Sequence, residues 1–221
     1  MSAKRVVLLI GSPKGHGSSS ESLGACLLDR LYEKGWTSER VRLRPSVKTD
    51  EGRARMLEAV DAADLLVFSF PLYVDSLPAA VIRGMELIAE RRRAVPKKQR
   101  MLAIVQCGFP EAHQNDTALA ICRRFASEAG LEWAGGLSLG MGGAIGGKPL
   151  GERGGMARRM VRALHLTADA LADGQPAPEE ARALMARRMM PTWLYLWIGN
   201  RMWKSMARKR GVKDLYARPF A

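Results

Sequence analysis

Short runs that are apolar on both faces alternate along this chain with stretches whose apolar residues recur every three or four positions. Arg5–Ile10 (RVVLLI), Leu65–Phe70 (LLVFSF) and Met101–Cys107 are of the first kind, the mark of strands buried on both sides in a parallel sheet. Glu39–Leu43 alternates like an edge strand, and Leu131–Leu139 reads as a fifth strand. Between them the period lengthens. Ser20–Lys34 places Leu23, Leu27, Leu28 and Leu31 on one stripe and stops at Gly35. Glu51–Asp61, Pro78–Arg93, a stretch from about His113 to Ala129 and one from about Met156 to Ala172 read as further helices.

This alternation predicts an α/β fold, a doubly wound five-stranded parallel sheet covered by helices on both faces. With the first strand central, the strand order is 2-1-3-4-5. Ligands of such sheets bind at the carboxyl ends of the strands, where the winding reverses. That directs attention to the loops after Ile10, Phe70 and Cys107.

Composition narrows the class. A chain of 221 residues is sized for one core, and 47% hydrophobic residues make that core affordable without disulfides. Cys26, Cys107 and Cys122 stand far apart with no CxxC pair, which speaks against a zinc site, an iron–sulfur cluster or a disulfide framework and for a reducing, cytoplasmic setting. The apolar run Val6–Ile10 is too short for the core of a signal peptide, and no run is long enough to span a bilayer. The net charge of +13 sits mostly in a tail, since residues 187–221 hold nine Lys/Arg and one acid. The basic remainder suits anionic partners such as phosphorylated cofactors. No nucleic-acid recognition motif accompanies the charge, so nucleic acid ranks low.

The first loop carries the sharpest chemistry. Strand Arg5–Ile10 runs into GSPKGHGSSS (residues 11–20), which opens a helix. Glycines let the backbone turn and present its N–H groups. The hydroxyls of Ser18, Ser19 and Ser20, with a helix N-terminus behind them, make a cradle for a dianion, and Lys14 adds charge at the rim. The spacing fits neither a Walker A loop nor GxGxxG. A Gly/Ser turn with an N-cap serine is the plainer reading. In the second loop, Pro71 to Pro78, two prolines frame Tyr73, a flat side chain suited to lie against a planar ring while loop N–H groups meet its polar edge. Gly108 and Phe109 bring a small and an aromatic residue to the same rim. His16 and His113 read as polar surface residues and Cys107 as core. Gly140–Gly147 (GMGGAIGG) reads as a place where backbone passes close to a ligand or a second subunit.

Taken together, Gly11-Ser12-Pro13-Lys14, Ser18-Ser19-Ser20, and Pro71-Leu72-Tyr73 followed by Pro78 resemble the NADPH-dependent FMN reductase group of the flavodoxin-like superfamily, over roughly residues 5–147. The resemblance implies a flavodoxin-like fold and FMN as cofactor, with Ser12, Lys14, Ser18, Ser19 and Ser20 on its phosphate. It implies Pro71, Leu72, Tyr73, Val74, Asp75, Ser76, Gly108 and Phe109 around its ring. Lys14 stands where the group carries arginine, which keeps the charge and loses the fork. Val74 stands where a tryptophan is common.

The expected activity is an NAD(P)H-dependent FMN oxidoreductase. NADPH or NADH is the co-substrate, a quinone, a flavin or a similar small molecule is the acceptor, and the order is ping-pong. No side chain is assigned as acid or base, since the cofactor carries the chemistry. The alternatives are a non-enzymatic, flavodoxin-like electron carrier and an FMN-stabilised interaction protein acting through its tail. The resemblance also implies a homodimer, with Gly140–Gly147 and the helix after Pro78 at the interface.

The expected division is residues 1–175 for the FMN-binding domain and 176–221 for a basic, Trp/Met-rich helical extension. In that extension Tyr195, Leu196, Met202, Trp203 and Met206 share one helix face, and Trp193, Trp197, Arg201, Lys204 and Arg208 the other, with Gly199-Asn200 a place for a kink. Docking of the apolar face on the body or a second subunit is the expectation, and peripheral contact with an anionic membrane the alternative.

Overall fold

The computed structural model describes residues 3–14, 16–94, 96–212 and 214–217. Strands β1 (Arg5–Ile10), β2 (Thr37–Arg42), β3 (Leu65–Pro71), β4 (Arg100–Gln106) and β5 (Glu132–Leu139) form one sheet in the order β2-β1-β3-β4-β5, every pair parallel. This is the flavodoxin-like, doubly wound topology that the alternation of periods predicts.

Strand β1 serves both layers because successive residues point to opposite faces. Val7 and Leu9 join a core with Met56 and Val60 of α3 (Asp50–Ala62), Val81 and Ile88 of α4 (Ala79–Ala94) and Cys122 of α5 (Asp116–Glu128). Leu8, of the other parity, packs on α1 (Ser19–Glu33). Gly24 is required there, since a Cβ would lie 2.5 Å from the Leu8 side chain. Each fully buried Leu or Val on these faces contributes about 1.5–3 kcal/mol. Helix α6 (Arg158–Ala172) lies beside α1, tied to it where Arg30 grips both oxygens of Asp169 at 2.9 and 3.1 Å.

Three local departures have identifiable causes. The stretch expected as one helix from His113 divides into a 3-10 turn (Ala112–Asn115) and α5. Asn115 is fully buried, and its side-chain amide donates to Val105 O, Leu139 O and Ser138 Oγ, which draws the turn onto the sheet. Helix α6 starts at Arg158, after a 3-10 stretch (Leu150–Met156) in which Gly154 has φ of 56°. One helix goes unanticipated, the single turn α2 (Leu43–Ser46); the expected helical extension opens with α7 (Glu179–Ala186), which rests on β5 and α6. Just before α7, the Ala177 N–H donates to Ala134 O (2.8 Å) and so covers part of the free edge of β5.

The amino ends of β4 and β5 are knitted by side chains. Arg92, 7% exposed, donates to the carbonyls of Ala129, Lys97 and Gly130 and to Gln99 Oε1. Gln99 Nε2 donates to Val60 O and Ala63 O, and Lys97 Nζ to Asp61 O and Ala63 O.

By internal contacts the chain divides into residues 1–187 and 188–221. The second unit holds α8 (Thr192–Lys209), which runs unbroken through Gly199 and Asn200 and buries none of its residues. Its Arg201 guanidinium lies 5.8 Å from the Trp197 ring centroid. Among the described residues no helix is long and apolar enough to cross a membrane.

Candidate functional site

Four loops leave the carboxyl ends of β1, β3, β4 and β5, and backbone hydrogen bonds lace them into one rim. Gly11 N–H donates to Ser69 O, Leu72 N–H to Gln106 O, Cys107 N–H to Leu139 O, Met141 N–H to Phe109 O and Gly142 N–H to Cys107 O, all at 2.7–2.9 Å apart from the 3.0 Å bond of Cys107. The Ser19 hydroxyl closes the circuit by donating to Gly142 O at 2.9 Å. The loop after β5 therefore meets the loop after β1, although the two strands lie far apart in the sheet.

In the first loop Ser18 is the N-cap of α1, its Oγ accepting from the Glu21 N–H at 3.1 Å. Glu21 in turn accepts from the Gly17 N–H (3.1 Å), a variant of the capping box reaching one residue further back. The first-turn N–H groups of Ser19 and Ser20 have no acceptor within the helix, as at any helix start. Ser12 and Ser18 are buried at the base of the loop, and Lys14 is exposed on its rim. The Ser20 hydroxyl is fully buried with no hydrogen-bond partner. Gly147, at φ of 74°, lies directly on Gly17, where a Cβ would overlap the Gly17 carbonyl.

Two cations behind this loop went unmarked in the sequence. Arg42 Nη2 meets Glu21 Oε1 at 2.5 Å and His16 Nδ1 at 2.9 Å, and Arg44 Nη1 donates to Pro13 O at 2.8 Å. Arg42 ends the edge strand β2, which pairs with β1, and Arg44 follows it. The available signal was positional: the carboxyl end of a neighbouring strand points at the same rim.

The second loop is a tight turn. Tyr73 and Ser76 exchange both backbone hydrogen bonds (2.9 and 3.0 Å), and between them Val74 and Asp75 have φ of 48° and 55°. Positive φ at both central positions is the type I′ pattern, which glycine or asparagine usually fills. A β-branched residue there is strained by about 1–2 kcal/mol. The turn's own bonds consume the N–H groups of Tyr73 and Ser76, and those of Val74 and Asp75 are left for a ligand. Val74 is 98% exposed. With the half-exposed Tyr73 of the same turn and Phe109 of the third loop, it gives this rim an apolar surface. Pro71 and Leu72 are half-buried below them, and Gly108 is exposed beside Phe109.

No thiol is poised for chemistry. Burial pushes Cys26 up to about 11, helped by Asp29 and Glu33, and pushes Cys122 up to about 12. Burial also raises Cys107. His113 is exposed in the 3-10 turn, and His16 is held by Arg42. A cleft of about 620 Å³ runs along the outer flank of α1, from His16 and Gly17 past Cys26 to Glu33, with His165 of α6 opposite. It adjoins the first loop but does not lie over the second and third.

The donor set fits a flavin mononucleotide. Two first-turn N–H groups, the Ser12 and Ser18 hydroxyls and Lys14 at the rim are donors of the kind a phosphate dianion needs, while Arg42 and Arg44 brace the loop through Glu21, His16 and Pro13 O. The Tyr73–Ser76 turn and Phe109 supply an apolar surface with N–H groups at its edge, as a flat heterocycle needs.

Known structures share this architecture. NAD(P)H:quinone oxidoreductase from Methanothermobacter marburgensis superposes with a TM-score of 0.57 at 15% identity, covering 77% of this chain and 96% of its own. An FMN-dependent NADH-azoreductase from Bacillus anthracis, solved with FMN, gives 0.55 at 14% identity, covering 76% and 100%. A flavodoxin from Streptococcus pneumoniae TIGR4 gives 0.54 at 13%, covering 77% and 99%. These identities establish the fold. No curated protein sequence matches the chain. The profile of one family, NADPH-dependent FMN reductase, matches residues 4–123, which span β1 through most of α5 and so include three of the four rim loops. The profile covers more than half of the sequence, and the chain therefore belongs to the NADPH-dependent FMN reductase family, the NAD(P)H-dependent FMN oxidoreductases.

Proposed function

We propose that this enzyme passes electrons from NADPH or NADH to a quinone or similar small acceptor in ping-pong order. The observation that carries this reading is the shared rim: a helix N-terminus with free N–H groups and an exposed aromatic turn lie at the carboxyl ends of adjacent strands, β1 and β3. Bound FMN would supply the hydride and electron chemistry. The chain's part is to hold and orient. Ser12, Lys14, Ser18, Ser19 and Ser20 hold the phosphate end, chiefly through backbone N–H groups, because the Ser19 hydroxyl is engaged with Gly142 O. Pro71, Leu72, Tyr73, Val74, Asp75, Ser76, Gly108 and Phe109 seat the ring. The N–H groups of Val74 and Asp75, unused by the turn itself, would be the donors to negative charge on that ring, with no proton donor required. Tyr73, Val74 and Phe109 form one exposed apolar rim, so nicotinamide and acceptor would take turns on the open side of the ring seated there.

The same exposed residues support a homodimer in which a second subunit covers the rim. α4, the helix after Pro78, also offers Ile82 beside Ile121 of α5 along an apolar cleft. Initial-rate measurements with NADPH and a soluble quinone test the order of substrates. Parallel double-reciprocal lines are expected, and intersecting lines would show a ternary complex and overturn it. Ser18→Ala should weaken FMN binding by about 1.5–3 kcal/mol, the worth of one hydrogen bond to a charged group, while Ser19→Ala acts only through the lost bond to Gly142 O, both read by fluorescence titration.

A further inference from the structure

We propose that α8 with its flanking cations is an interfacial anchor for anionic lipid. Its two halves differ. The first, Thr192–Asn200, carries no charged side chain. Trp193, Leu194, Tyr195, Leu196, Trp197 and Ile198 occupy six successive positions, which at about 100° per residue sweep the whole circumference. A helix that is apolar all round belongs in an apolar medium. Yet Trp193 is 70%, Leu196 51% and Trp197 58% exposed. The second half carries Arg201, Lys204, Arg208 and Lys209, with Arg210 at its C-cap and no acid.

This arrangement selects one occupant. The apolar half is about 13 Å long, less than half of a bilayer core of about 30 Å. It can enter the interface but cannot cross, in keeping with the absence of a spanning helix among the described residues. Indole rings favour the headgroup boundary, and Lys and Arg favour anionic headgroups. A second copy of the tail is disfavoured by charge, because each brings nine Lys/Arg against one acid. A nucleic-acid strand would need cations interleaved with its stacking aromatics; Trp193–Ile198 holds none, and only Trp203, between Arg201 and Lys204, is so placed. The inference stands apart from the flavin chemistry.

Flotation of the full chain with phosphatidylglycerol/phosphatidylcholine vesicles, and with phosphatidylcholine alone, is the test. Binding to the anionic vesicles at 0.1 M salt is expected, with release at 1 M as the Debye length falls from about 10 to about 3 Å. Arg201→Glu, Lys204→Glu and Arg208→Glu together should weaken binding by 100-fold or more, at roughly fivefold for each cation removed. Leu196→Ser with Trp197→Ser should also release the protein and leave its thermal melt unchanged, since neither side chain is buried. The proposal is overturned by no binding to anionic vesicles or by binding that survives the charge reversal. Tail-dependent self-association without lipid binding, or tighter binding to a single-stranded oligonucleotide, would overturn it equally.

Discussion

The two ends of this sheet are built on opposite plans. At the amino end, side chains hold backbone: Arg92 alone bonds three carbonyls from two segments, and Gln99 and Lys97 bond carbonyls at the end of α3. At the carboxyl end, backbone holds backbone. Glycines permit close passages there, and a strained turn keeps its central N–H groups unspent. The amino end spends its side-chain donors on the fold itself. The carboxyl end gives up local comfort for donors that face outward, as functional sites commonly do.

The largest effect is expected where side chains do the holding. Arg92→Ala orphans buried carbonyls and should destabilise the fold by about 3 kcal/mol or more, read by urea denaturation. FMN affinity of the folded fraction should stay within twofold. A large loss of affinity would show that the two ends are not independent. Next comes Gly147→Ala, which forces a left-handed φ on alanine and drives its Cβ into Gly17. It should cost about 1–3 kcal/mol of stability and weaken FMN binding at least tenfold. Gly35→Ala, with φ of 83° and open space around it, is the control that keeps the strain and loses the collision. Unchanged FMN binding in Gly147→Ala would remove the loop after β5 from the site.

Val74→Asn should go the other way. Asparagine tolerates the left-handed region, so the melt should rise by the equivalent of up to about 1 kcal/mol. No gain would mean that the turn is not strained as drawn. The smallest effect concerns neither end. Arg30, and after it Lys34, hold the Asp169 carboxyl below the usual carboxylate range, between α1 and α6. A depressed folded pKa stabilises above the unfolded value of about 4 and is lost as pH falls through the folded value. Asp169→Asn should therefore lower the melting temperature slightly at pH 7, and the gap to the parent should close in acid.

Legibility in the sequence followed the range of the interactions. β1, β3 and β4 were readable within a residue because each is apolar on both faces, a local property. The first loop was readable too, because its glycines, serines and helix start are contiguous. Arg92 was not. It sits among Arg91, Arg92 and Arg93 at the end of α4, which reads as a solvated run, and only the tertiary fold brings Ala129 and Gly130 to it. The left-handed turn at Val74-Asp75 was hidden because a β-branched valine, unlike aspartate, rarely takes a positive φ. Helix α2 was hidden because four residues hold no periodicity to stand out.

The thiols have a practical consequence for whoever wishes to watch this protein work. With Cys26 at about 11 and Cys122 at about 12, the reactive thiolate is on the order of one part in ten thousand or less at neutral pH, and Cys107 is shifted the same way. The native sequence is thus a quiet background for maleimide labelling. A single Val74→Cys or Trp197→Cys would carry the most exposed thiol, since Cys107 and Cys122 are buried and Cys26 is half-buried. A fluorophore there would report occupancy of the rim or arrival at a surface, with no need to strip the protein of its own cysteines.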